Sequence, residues 1–182
     1  AAVNQWVTVT QSGTAVAAEM GITYAVLNNV CFIVGRAGNI KQMASDGTVT
    51  DVSSEPSGIL VANYRDRLYL AGDGGSGTNG SPVRVSFSAR GDGTSWTTAS
   101  DFFDVADQGG GFIRGFKVYQ DGLGIFKFDS IFVYDEIELK QRVLGAGAYN
   151  HKVVQEVNGR LYTFGPNGIF ETDLSSAKDI GD

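Results

Sequence analysis

The chain repeats itself. The tripeptide Arg67-Leu68-Tyr69 recurs as Arg160-Leu161-Tyr162, and each copy meets a glycine three residues on, at Gly72 and Gly165. Val30-Cys31-Phe32, which runs to Gly35, has the same spacing and residue type, and Gly122-Leu123-Gly124-Ile125-Phe126 fits more loosely. Taking the central apolar residue of each as an anchor gives Cys31, Leu68, Leu123 and Leu161, separated by 37, 55 and 38 residues. A period of ~38 residues lies close to that of a four-stranded propeller blade. It restricts the chain to architectures in which one unit cannot bury its own faces and the stacking of neighbours makes the core.

The local signals agree with strands and not with helices. No stretch of three turns carries apolar residues at helical spacing behind a cap, and the helix formers at 15–20 make too short a run. Each anchor follows a turn signal, namely Asn28-Asn29, Arg65-Asp66, Gln120-Asp121 and Asn158-Gly159. An apolar strand is expected before each turn, at Ile22, Ile59, Ile113 and Val153, and another after three of the anchors, at Ile40, Ile131 and Ile169. Val83-Arg84-Val85-Ser86-Phe87, residues 48–52 and residues 102–105 read as further strands, and Asp135-Glu136-Ile137-Glu138 with Lys140 and Arg142 reads as a charged outer strand. The long interval holds two insertions, at 72–82 and 90–100. The fold class predicted is therefore an all-β propeller, or a fragment of one, of about four four-stranded antiparallel blades. Their expected bounds are 21–57, 58–110, 111–150 and 151–182, with 1–12 a closing or preceding-blade strand centred on residues 5–10. The last unit ends early, so either this strand completes it or further blades lie outside the chain. A first residue of Ala1 rather than Met predicts a processed chain, an engineered one, or a piece of something longer.

Composition excludes several functions. Hydrophobic residues make up 42% of the 182, enough for a core, while 14 basic against 20 acidic residues leave a net charge of −6. A protein that wraps nucleic acid needs a basic footprint instead. One cysteine, Cys31, rules out an internal disulfide, and one histidine, His151, rules out a multi-histidine metal site. Cys31 sits in an apolar run and reads as a small buried hydrophobe. No apolar run approaches the ~18–20 residues of a membrane-spanning helix. No cofactor or metal is expected.

Four motifs invite chemistry. Arg90-Gly91-Asp92 spells an integrin-type tripeptide, which would make the chain an adhesion module, although three such common residues also meet by chance. Ser88-Ala89-Arg90-Gly91-Asp92-Gly93-Thr94-Ser95-Trp96 resembles the Asp-box of sialidase-type propellers, with the aspartate two residues late. Asp92-Gly93 is expected to make a turn and Trp96 to pack. The glycine-rich stretch 73–80 lacks the Lys of a phosphate loop and the carboxylates of a calcium loop, so it reads as a hairpin tip suited to contacts between subunits. The predicted interaction residues are Asp73, Ser76, Thr78, Asn79, Arg90, Asp92 and Thr94. Two of the carboxylates Asp101, Asp104 and Asp107 could share a proton as glycosidase carboxylates do, or the three form a solvated acidic loop before Gly109-Gly110-Gly111. A sialidase-like enzyme would also need an arginine cluster, for which Arg65, Arg67, Arg84 and Arg114 are candidates that spacing does not bring together. No convincing catalytic set emerges, and the chain is expected not to be an enzyme.

Several of these segments together resemble a family. They are Ser86-Phe87-Ser88, Gly91-Asp92-Gly93-Thr94-Ser95-Trp96 with Phe103-Asp104-Val105, and Gly111-Phe112-Ile113-Arg114-Gly115-Phe116. Leu123-Gly124-Ile125-Phe126-Lys127, Ser130-Ile131-Phe132-Val133-Tyr134, Val157-Asn158-Gly159-Arg160-Leu161-Tyr162 and Gly168-Ile169-Phe170-Glu171-Thr172-Asp173 complete the set. Over residues 58–174 this pattern is similar to the propeller region of the tail nozzle or hub (tail tubular) proteins of short-tailed, podovirus-type phages. The resemblance implies a structural component of the virion, assembled in the host cytoplasm. It implies a ring of copies of the chain, hexameric in that family, around a channel through which DNA passes without sequence-specific binding. Adjacent tail proteins such as the adaptor and fibres would be its partners. A wall of net negative charge is compatible with that passage, because it does not grip phosphates. The alternative is a carbohydrate-binding or sialidase-like propeller, suggested by the near Asp-box and by aromatics such as Trp96.

Overall fold

The computed structural model describes residues 22–35, 40–53, 55–56, 58–72, 81–105 and 111–181. Strand β1 (Ile22–Leu27), β2 (Val30–Gly35), β3 (Lys41–Met43) and β4 (Val49–Asp51) form sheet 1. Sheet 2 holds β5 (Leu60–Tyr64), β6 (Arg67–Ala71), β7 (Arg84–Phe87) and β8 (Phe102–Asp104). Sheet 3 holds β9 (Gly115–Tyr119), β10 (Gly122–Phe126), β11 (Ser130–Tyr134) and β12 (Leu139–Leu144), and sheet 4 holds β13 (Gln155–Val157), β14 (Arg160–Gly165), β15 (Gly168–Thr172) and β16 (Ala177–Asp179). Every sheet is an antiparallel meander in chain order. The four anchors all fall on second strands, as the repeat requires. The strand expected at 5–10 and the loop at 73–80 lie outside the described residues.

The hairpin turns explain the register. Asn28 and Asn29, Arg65 and Asp66, and Asn158 and Gly159 all have positive φ, the backbone of a two-residue turn whose twist matches its strands. First strands of neighbouring sheets lie side by side, β1 along β5 and β5 along β9. Thr23 welds the first of these pairs. Its Oγ1 donates to the Ile59 carbonyl at 2.9 Å and accepts from the Val61 N–H at 3.1 Å, while Asn63 Nδ2 donates to the Val26 carbonyl at 2.6 Å. Two tyrosines that close first strands, Tyr64 and Tyr119, donate their hydroxyls across to the next sheet, to the carbonyls of Asp121 and Gly159. Sheets set edge to axis in this way, each facing the next, make a run of propeller blades.

The core is three seams. Between sheets 1 and 2 lie Ala25, Leu27, Phe32, Val34, Val61, Leu68, Leu70 and Trp96. Between sheets 2 and 3 lie Leu60, Tyr64, Tyr69, Val85, Leu123, Ile125 and Phe132. Between sheets 3 and 4 lie Phe126, Ile131, Val154, Leu161 and Leu174. Leu68, Leu123 and Leu161 each face the preceding sheet and are fully buried. Cys31, the matching residue of sheet 1, is only half-buried, contrary to the buried role expected of it. Its cross-strand partner is Val26, and that face points away from sheet 2 to where a preceding blade would stand. Desolvation still raises the thiol pKa.

Three further expectations need correction. Residues 135–138 are not strand. Glu136 has φ +73°, and the Asp135 carboxylate accepts from the N–H groups of Ile137 and Glu138 at 2.9 Å each, so the segment is the turn into β12. Val153 does not begin a strand either. Residues His151–Val153 form a single 3-10 turn, capped by the Asn150 side chain on the Lys152 N–H, and β13 starts at Gln155. Ile113 precedes β9 as a buried crossing residue rather than lying within the strand.

Sheet 4 is held to sheet 3 by a plug. Leu174, itself at φ +70°, is 3% exposed and presses on the side-chain-free strip of Gly122 and Gly124. A Cβ on Gly124 would lie 2.7 Å from the Leu174 Cδ2. We predict that Leu174→Ala lowers the unfolding free energy by about 2–4 kcal/mol through cavity formation. Calorimetry would show this as a melting temperature lower by about 5–15 °C.

Candidate functional site

An antiparallel meander sends its turns to two ends. One end carries the turns from first to second and from third to fourth strand. The other carries the turns from second to third strand and the crossings between sheets. The polar chemistry is concentrated at the first end, where every third-to-fourth turn is organised by an aspartate. Asp46 accepts from the Thr48 N–H at 2.9 Å, Asp92 from the Thr94 N–H at 2.8 Å, Asp135 from Ile137 and Glu138, and Asp173 from Ser175 and Ser176 at 2.9 and 2.7 Å. Sequence reading found this device only at Asp92. The signal was an Asp two residues before a Thr or Ser in three of the four turns.

The Asp-box-like segment behaves as expected of a structural turn. Thr94 Oγ1 also donates to Asp92, at 2.6 Å. Trp96 is buried against the seam of sheets 1 and 2, and its Nε1 donates to the Gly93 carbonyl at 2.9 Å. A Cβ on Gly93 would stand 2.4 Å from the Phe32 ring and 2.6 Å from Leu68, so only glycine lets the loop approach that closely. The loop is therefore folded onto the sheets. Asn28 Nδ2 donates to the Gly91 carbonyl at 2.7 Å, and the Gly91 N–H donates to the Asp66 carbonyl at 2.6 Å. Of the predicted interaction residues, Arg90, Asp92 and Thr94 stand on this loop with their polar groups bonded within the fold, whereas Asp73, Ser76, Thr78 and Asn79 lie outside the described residues.

Beside it stands a charge cluster that sequence spacing concealed. Arg90 Nη2 donates to Glu136 Oε1 at 2.7 Å, Arg67 Nε lies 3.9 Å from the same oxygen, and Arg65 Nη1 lies 3.6 Å from Oε2. Arg65 and Arg67 were candidates for an arginine cluster and do come together, with Arg90 as the third member. Arg84 and Arg114 are elsewhere. Arg84 forks onto Asp104 at 2.9 and 3.1 Å, and this guanidinium bond holds the Asp104 carboxyl below its usual range. Asp104 is thus an ion-pair partner, Asp101 accepts from Ser100 at 3.0 Å, and Asp107 lies outside the described residues. The three arginines enclose a carboxylate of the chain itself. Burial raises the phenols of the neighbouring Tyr69 and Tyr134 and holds them protonated.

At the axis, the first strands of sheets 1 to 3 and the 3-10 turn with β13 surround a cleft of about 340 Å³. It is lined by Thr23, Tyr24, Val61, Lys117, His151 and Gln155 among others. Desolvation, then Lys152, lower the His151 pKa and keep the ring neutral at pH 7. Among the described residues no group of three or more His, Cys, Asp or Glu could hold a metal.

The opposite end carries aromatic rings. Phe112, Phe128, Tyr149 and Phe164 are 50, 38, 40 and 44% exposed. Phe128 meets Tyr149 edge to face at 5.6 Å, and Tyr149 meets Phe164 at 5.0 Å.

No family model and no curated protein matches the chain. Solved structures do. The extracellular domain of a protein described as a one component system in B. thetaiotaomicron aligns with a TM-score of 0.57 at 14% identity, covering 86% of this chain and 22% of that one. A protein described as exported, from Bacteroides fragilis NCTC 9343, aligns at 0.57 and 12% identity over 93% and 52%. BamB from Moraxella catarrhalis aligns at 0.46 and 10% over 88% and 61%. The chain thus spans about a fifth and about half the length of the first two. At such identities the likeness is one of fold.

The aspartate turns generate a pH dependence. The Ser175 hydroxyl, and then backbone N–H groups, lower the Asp173 pKa to about 2. Thr48 lowers Asp46 and Thr94 lowers Asp92. The unfolded carboxyls titrate near 3.9 and bind more protons in this range than the folded ones, so the stabilisation is complete above pH ~4 and is lost as pH falls towards 2. Chemical denaturation at stepped pH should show that loss. Asp173→Asn, which keeps the acceptor, should flatten part of it.

Proposed function

We propose that this protein is a structural interaction unit, a run of propeller blades that acts through contacts in the tail of a short-tailed phage, as part of a ring around the DNA exit channel. The observation that carries the reading is the state of the two terminal sheets. The outer face of sheet 1 presents Ile22, Tyr24 and Val26 at 46, 71 and 51% exposure. They occupy the strand positions that sheet 2 fills with Val61 and Asn63 against its neighbour. The outer face of sheet 4 presents Val157, Phe164, Ile169 and Ile180, all more than two-fifths exposed. Apolar surface of this kind marks interaction sites. Two such faces of the same sense favour head-to-tail continuation, by further blades or by copies of the chain, and rotation of that sense closes into rings. The similarity of residues 58–174 to tail nozzle proteins supplies the biological setting. The net charge of −6 suits a wall past which DNA moves without being held.

A carbohydrate-binding propeller is the second reading, favoured by the exposed aromatic rings at the crossing end. Its sialidase-like form is less favoured, because Glu136 already fills the arginine cluster. Mass spectrometry and immunogold labelling of purified virions test the leading reading, which expects the protein in tail particles. Its absence from them would overturn the proposal. We also predict that Val26→Asp shifts sedimentation of the purified protein towards a monomer with an unchanged circular dichroism spectrum. Wild-type protein that is monomeric at every concentration would contradict the assembly role.

A further inference from the structure

The aromatic file at the crossing end holds an arginine with unusual surroundings. Of the six arginines whose side chains are described, five are engaged by hydrogen bonds or ion pairs: Arg65, Arg67, Arg84, Arg90 and Arg160. Arg114 has none. Its buried Nε lacks a partner, and its guanidinium carbon stands over two rings, 5.4 Å from the centre of Phe112 and 5.6 Å from that of Phe128. A buried charged donor left unpaired has lost its hydration with nothing in return. The backbone keeps the side chain there, since the Arg114 N–H donates to the Phe126 carbonyl at 2.7 Å. Continuing through Tyr149 and Phe164, the result is a line of four exposed rings with one unpaired cation set into it.

We infer that this surface is a binding site for a carboxylate-bearing sugar, with Arg114 holding the carboxylate and the rings stacking on the pyranose faces. The planar guanidinium fork matches a carboxylate, and a lone cation among rings suits one negative charge on a largely apolar disc. Single-stranded nucleic acid fits less well. Its grooves combine stacking rings with a track of several cations, and here, among the described residues, one arginine stands in the file of a chain of net charge −6. Burial by another blade does not account for the part of the site around Arg114, although Phe164, at the far end of the file, lies on the outer face of sheet 4 that a following blade or copy would cover. Phe112, Arg114 and Phe128 belong to sheet crossings and turns of sheets 2 and 3, both of which already have neighbours on each side.

Isothermal titration with trigalacturonate tests the inference, with maltotriose as the neutral sugar and a fifteen-residue oligothymidylate as the nucleic acid. Trigalacturonate is expected to bind at least tenfold more tightly than maltotriose and than the oligonucleotide. Arg114→Gln should weaken that binding at least tenfold. Phe112→Ala removes a half-exposed ring without opening the core, and should weaken it at least threefold. No heat from millimolar trigalacturonate would overturn the site. So would equal affinity for maltotriose, tighter binding of the oligonucleotide, or unchanged affinity in a folded Arg114→Gln or Phe112→Ala protein.

Discussion

Everything in this fold follows from the two apolar faces of each meander. A four-stranded sheet of Leu68, Leu70 and Val61 on one side and Leu60, Tyr69 and Val85 on the other cannot leave either side in water. At about 25 cal/mol per Å² of apolar area buried, the seams outweigh any local preference along the chain. Stacking four such sheets buries the facing surfaces of three seams and leaves two terminal faces. Those exposed faces carry the proposal that the protein is a unit of a larger array.

Side-chain hydrogen bonds between sheets convert stacking into a defined geometry. Thr23, Asn63, Tyr64 and Tyr119 carry hydrogen bonds from one sheet to the backbone of the next. The Glu136 cluster ties the hairpin of sheet 2 and its long loop to the outer turn of sheet 3. These contacts are directional where the apolar seams are not, and they set the angle at which one blade meets the next. Exposed aromatic rings gather at the crossing end instead.

Much of the architecture was legible in the residues. Arg67-Leu68-Tyr69 and Arg160-Leu161-Tyr162 marked equivalent second strands because the same burial demand recurs at the same place in each unit. Asn28-Asn29 and Asn158-Gly159 marked hairpins because few residues accept positive φ. The errors have physical causes too. Asp135-Glu136-Ile137-Glu138 alternates like a strand, but a carboxylate that captures two N–H groups competes successfully with the ladder. Val153 looked like strand because it is β-branched and apolar, yet Asn150 caps a turn there first. Cys31 looked buried because it sits in an apolar run, whereas burial depends on the neighbouring sheet and not on the residue.

By itself, then, the sequence determined the number of meanders, their order and the turns between their first and second strands, since each of these rests on residues close together in the chain. Only the tertiary structure decided which side chains from different blades meet. The three arginines on Glu136 stand 46 to 71 residues from it in the chain, and Arg114 is flanked by rings on both a crossing and a turn. Such meetings depend on the angle between sheets, which arises from packing over whole faces and leaves no local pattern to read.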